Sequence, residues 1–140
     1  MPRPAGRAAQ KPKPTREDAA LMLQVAQLGA VRGLHEASNW LWSDKFLPDY
    51  AEFRKKFPRG SAGAGHARVI STHYETLGTL WKNKLINEDL LFDWLWITGV
   101  WDRMKGIVLG ERKEAGERRL GENFQKMAAA QVRWSKQPRR

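Results

Sequence analysis

A chain of 140 residues is long enough for one domain with a true core and too short for two comfortable ones. It has no cysteine, which excludes disulfides, thiolate metal sites and a cysteine nucleophile and suits a reducing compartment. The net charge of +10 suggests a polyanion partner until it is located: residues 1–18 carry five cations against two acids, residues 133–140 four cations and no acid, and the 114 residues between them sixteen against thirteen.

The folded part is therefore nearly balanced. Basic tails solubilise a protein as readily as they release counterions from a nucleic acid. No run reaches the roughly 18 apolar residues of a membrane span. The N-terminus lacks the apolar core of a secretory signal, so a cytoplasmic protein without a transmembrane segment is expected.

Residues 1–14 hold four prolines among small and basic residues without an apolar period, and the expectation is a disordered basic tail. Thr15 is placed as an N-cap with Asp18 closing a capping box. Leu21, Val25, Leu28, Leu34 and Leu41 then follow a helical repeat, as one bent helix or two, with Gly29 and Gly33 as the weak points. Ser43 and Asp44 break the pattern. Pro48 suits a new first turn, and Tyr50, Phe53 and Phe57 share one helical face before Pro58 stops it. The glycine-rich residues 59–65 read as a loop.

The next helix, about residues 65–84, carries an apolar stripe of Val69, Ile70, His73, Tyr74, Leu77, Leu80 and Trp81. Asn87 is an N-cap for a helix over 87–110. Between Leu90 and Trp101 its single charge is Asp93, and three of the twelve residues are tryptophan. Such a helix has to be covered on nearly every side. Leu120, Phe124, Met127 and Trp134 mark a last helix, and residues 135–140 form a second basic tail. No stretch alternates with period two. The expected fold is all-α, a single compact bundle of four to five helices over residues 15–134.

The sequence from Gly60 to Gly65 has phosphate-loop spacing, but the positions that need lysine and a hydroxyl are His66 and Ala67, and no strand precedes it. It reads as a connector. Arg54, Lys55, Lys56 and Arg59 before it and Arg68 after it are nevertheless a candidate anion-binding set near a helix N-terminus. His35, His66 and His73 lack metal-ligand spacing; His73 falls on the apolar stripe as a satisfied core residue. Glu75, on the polar face, reads as a solvated or ion-paired carboxylate rather than a general base, with Arg103 and Arg112 as candidate partners between which the sequence does not choose. Neither a cofactor nor a metal is called for.

Seven tryptophans are many for this length. Trp81, Trp94 and Trp101 fall on core stripes. Trp40, Trp42, Trp96 and Trp134, together with Phe92 off the main stripe, are candidates for a partner-binding surface.

Tyr74-Glu75-Thr76-Leu77-Gly78, Leu80, the basic turn at Lys82 and Lys84, Ile86-Asn87-Glu88-Asp89-Leu90, Trp101, Arg112 and Gly121-Glu122-Asn123-Phe124 form an ordered set of motifs. In these the chain resembles a small bacterial all-helical family defined as a domain of unknown function. The resemblance covers about residues 74–124, implies a helical fold and carries no activity with it.

With no nucleophile, metal set or paired carboxylates to name, the expected function is a non-enzymatic helical protein–protein interaction module, binding a protein partner or a second copy of itself. The alternative is a nucleic-acid-associated protein that binds polyanions through its tails and the Arg54–Arg59 cluster.

Overall fold

Thr15 opens the structure as expected: its hydroxyl accepts from the Asp18 amide at 3.1 Å while Asp18 accepts from the Thr15 amide at 2.8 Å. This capping box starts α1 (Arg16–Arg32) in the computed structural model, which describes residues 11–138. Six further helices follow: α2 (Leu34–Leu41), α3 (Tyr50–Lys56), α4 (Ala62–Lys82), α5 (Glu88–Trp94), α6 (Ile97–Ala115) and α7 (Glu122–Ser135). No strand occurs among the described residues. None of the helices is long and apolar enough to cross a membrane.

The helix count exceeds four to five because two expected runs divide. The first run divides at Gly33, whose left-handed φ of +80° ends α1 and begins α2. The run from Asn87 to Gly110 divides at Leu95, which leaves the helix in an extended conformation, and α6 then continues to Ala115.

A third boundary also moved. Ser61 accepts from the Ala64 amide at 3.3 Å, so most of the expected glycine loop is the first turn of α4. Packing explains the glycine: a Cβ at Gly63 would stand 2.2 Å from the Phe57 ring. Of the N-terminal tail, residues 1–10 lie outside the described residues. Residues 11–14 run without helix beside α5, where Asn87 donates to the Pro12 carbonyl at 2.9 Å.

Helix α4 is central, packing against α2 on one side and α7 on the other, with α6 closing over α7. Ile70 and Leu77 of α4 meet Leu41, Leu91, Ile97, Met104, Phe124 and Met127 in the fully buried core. Gly121 begins α7 with a left-handed φ of +69° and no cap of its own. Glu75 of α4 supplies one: a single carboxylate oxygen accepts from the amides of Asn123 and Phe124, both at 2.9 Å. A carboxylate at a helix N-terminus also meets the positive end of its dipole. Gly78, one turn on, makes room, since a Cβ there would lie 2.6 Å from the Asn123 carbonyl carbon. The Phe124 ring then stacks on Tyr74 and meets the edge of Trp101.

Glu75 is thus taken by α7 backbone and by neither expected arginine. Arg103 donates to the carbonyls of Leu41 and Ser43 at the end of α2, and Arg112 donates to the Leu120 carbonyl. Loss of the cap in Glu75→Ala is expected to cost about 1–2 kcal/mol in chemical denaturation, and Glu75→Gln, which keeps a neutral acceptor, to cost less. Wild-type stability in Glu75→Gln would contradict the charge contribution.

His73 is in the core as expected but is not satisfied: its Nδ1 is buried without a hydrogen-bond partner. Burial, with the Arg32 charge nearby, pushes its pKa down to about 4. The folded protein therefore binds this proton less well than the unfolded chain does. Stability from this group is complete above pH 6.5 and is lost as pH falls from 6.5 towards 4, by on the order of 2–3 kcal/mol. Stability curves for wild type and His73→Leu should diverge across that window; parallel curves would exclude the histidine as the source.

Candidate functional site

Two surfaces gather the residues that the sequence singles out. The first lies at the break between α5 and α6. Gln131, a buried polar residue on the otherwise apolar face of α7, holds the break open with all its amide atoms. Its NH2 group donates to the carbonyls of Leu95 at 2.6 Å and Phe92 at 3.3 Å, and its oxygen accepts from the Thr98 amide at 2.7 Å and hydroxyl at 2.8 Å. The end of one helix and the start of the next are thereby satisfied without continuing the ladder.

The break turns Trp96 outward. Its indole lies flat on Gly99, where a Cβ would stand 2.5 Å from the ring, and Trp42 stacks on it with centroids 5.7 Å apart and planes 8° from parallel. The Arg103 guanidinium lies over both the Trp42 and Phe46 rings. Trp96 is 67 % exposed and Trp42 47 %, so the pair is held in place and still faces solvent.

Farther along α6, a Cβ at Gly106 would stand 2.2 Å from the Pro48 carbonyl oxygen and one at Gly110 2.1 Å from the Tyr50 ring. Gly99, Arg103, Gly106 and Gly110 thus form one face that seats the segment from Trp42 to Tyr50. The spacing of these residues carried that signal, but Gly110 reads from sequence as a helix end.

Beside Trp96 is a groove of about 390 Å³ walled by Trp94, Leu95, Val132 and Trp134. Trp134 is half-buried and donates its indole N–H to Asp89 at 2.8 Å. Asp93, exposed on the groove edge, has no hydrogen-bond or ion-pair partner among the described residues. It also sits in the last turn of α5, where the helix dipole disfavours a negative charge.

Two of the five candidate aromatics are not exposed on this surface: Phe92 lines the groove only from beneath, and Trp40 does not line it. Phe92 is 4 % exposed, because the break places it under Trp134 rather than on the off-stripe position of a continuous helix. Trp40 is half-buried in an aromatic cluster with Phe46, Phe53 and Phe57, its indole N–H buried and unpartnered. Sequence reasoning missed Gln131 and Asp93, although a glutamine among Met127, Ala128 and Ala130 was a visible anomaly.

The second surface is a cleft of about 520 Å³ among α3, the N-terminal half of α4 and the C-terminal half of α6. Arg54, Arg59 and Arg68 line it, and Lys55 and Lys56 do not; the Lys56 ammonium lies over the Phe57 ring. Arg54 forms a hydrogen-bonded ion pair with Glu111, while Arg59 stands 3.6 Å from Glu111 and 3.4 Å from Glu114. The Tyr50 hydroxyl, with Arg59 beside it, holds the Glu114 carboxyl below the usual carboxylate range.

The ordering of the motifs along the chain agrees with a comparison against protein families: the family described as Domain of unknown function (DUF4760) matches residues 14–134. The chain belongs to that family. The DUF4760 match runs from the α1 cap to Trp134, so the groove and the cleft lie almost wholly inside the domain. Several motifs that suggested the resemblance converge at one place in this DUF4760 domain, where Tyr74, Glu75, Gly78, Trp101, Asn123 and Phe124 join α4 to α6 and α7. No curated protein and no solved structure matches the chain.

A stacked tryptophan pair gives an exciton couplet from the intense indole transition at the long-wavelength edge of the far-ultraviolet circular dichroism, beside the helical bands. Trp42→Ala and Gly99→Ala are both expected to abolish it with the far-ultraviolet helical signal retained, the second because its methyl group displaces the Trp96 ring. A couplet unchanged in Gly99→Ala would show that the ring is not held there.

Proposed function

We propose that this protein is a non-enzymatic interaction module whose α5–α6 break and α7 take an extended, cation-bearing segment of a partner protein. The observation that carries this reading is the exposed, stacked Trp42–Trp96 pair beside a tryptophan-walled groove. Solvent-facing tryptophan of this extent is unusual on a free surface and is enriched at the energetic centres of interfaces. Gly99 and Arg103 fix the rings before any partner arrives, which lowers the entropy lost on association. The chemistry of the occupant follows from Asp93. An unpaired carboxylate at the rim, among indole faces, favours an arginine or lysine that stacks on a ring while pairing with the acid.

The polyanion reading draws less support. Two of the three arginines gathered in the cleft are already engaged by Glu111 and Glu114.

Selection of random decapeptides on the immobilised full chain tests the proposal. Enriched peptides should contain arginine or lysine flanked by proline or apolar residues. Resynthesised, they should bind about tenfold more weakly to Trp96→Ala and to Asp93→Asn than to wild type. Selection without enrichment, or winners that bind Trp96→Ala as tightly as wild type, would sink it.

A further inference from the structure

The cleft between α4 and α6 is independent of the tryptophan groove. Thr98 at the groove and Glu111 at the cleft are separated along α6 by roughly 20 Å at the helical rise per residue. Its α4 wall is one helical face, Ser61, Gly65, Arg68 and Thr72, with Ala64 and Ser71 beside it. Opposite stand Arg54 and Arg59, and Phe53, Ile107, Val108 and Leu120 complete an apolar wall.

The charge of this lining is three arginines against one acid, Glu111. Arg68 is exposed and has no ion pair or hydrogen bond among the described residues. Arg54 already holds a carboxylate, that of Glu111, and its Nε is buried without a partner. The start of α4 adds the positive end of a 21-residue helix dipole at the Ser61 corner. Gly65 stands in the middle of this wall with no atom within 4 Å of where its Cβ would be, so the chain itself leaves the space empty.

We infer that the cleft is a binding site for a small organic anion, a phosphate monoester carried on an apolar or aromatic body. Arg68 takes the phosphate, and Arg59, loosely held 3.6 Å from Glu111 and 3.4 Å from Glu114 with its side chain 65 % exposed, adds the donors that those acids leave free. The hydroxyls of Ser71 and Thr72 stand within the same wall, and the apolar body lies against Ile107, Val108 and Leu120. The Arg54–Glu111 pair stays intact and forms the side of the site. Guanidinium groups suit phosphate because their N–H donors match its oxygens in pairs. The mixed lining distinguishes this site from a polyanion track, which needs a continuous run of free cations.

Titration calorimetry of the full chain with phenyl phosphate, inorganic phosphate and benzyl alcohol at low salt tests the assignment. Phenyl phosphate should bind more tightly than either of the other two, and Arg68→Ala should weaken it by about tenfold. Gly65→Leu fills the empty space from a helical position that favours leucine over glycine, so it should retain the fold and thermal stability while losing the binding. Absence of phenyl phosphate binding to the wild type would overturn the inference. So would binding that survives in folded Gly65→Leu, because the exposed arginines alone would then account for it.

Discussion

The seating of α7 on α4 through Glu75 is the constraint on which the other parts depend. Gly121 gives α7 no side chain to satisfy its first amides, and one oxygen of Glu75 accepts two of them from across the interface. The approach is possible only because Gly78 has no Cβ. A helix whose first turn is capped by another helix is fixed in rotation as well as in position. That rotation sends Phe124 and Met127 into the core and delivers Gln131 to the far end of the bundle.

From Gln131 the consequence runs to the surface. A run as apolar as Leu90–Trp101 would continue as a single helix on local preference alone. A glutamine that accepts from Thr98 and donates to Leu95 and Phe92 offers the backbone an equivalent set of bonds with the helix broken. The break separates two residues that the helical repeat places together: Phe92 is buried, and Trp96 is left on the outside against Gly99. Arg103 acts on the same region from α6. It ends α2 by donating to Leu41 and Ser43, and its guanidinium covers the Trp42 ring. The exposed aromatic pair is thus a product of helix termination rather than of surface composition.

The two surfaces use different physics. At the groove, tryptophan faces and one unpaired acid meet solvent; in the cleft, arginines are partly neutralised by acids of the same domain and one, Arg68, is left over. Ser61, Arg68 and Thr72 share the cleft because they recur on one face of α4. Arg54 and Arg59 join them because Phe57 packs on Gly63 and folds α3 back onto α4.

The sequence by itself determined the all-helical class, the Thr15 and Asn87 caps, the approximate course of α1, α3, α4 and α7, and the core character of Ile70, Tyr74, Leu77, Phe124 and Met127. Those features depend on spacing along the chain and on local backbone chemistry, which periodicity records. It also marked the family through motifs whose purpose it did not disclose. Only the tertiary structure decided that Glu75 caps α7, that the tryptophan-rich run breaks at Leu95, that His73 is buried with an unpartnered nitrogen, and that Trp96 faces out while Phe92 and Trp40 do not. Each of these depends on a group from a distant part of the chain offering or withholding a hydrogen bond or the space of one methyl group. A pattern of neighbours in sequence carries no record of that.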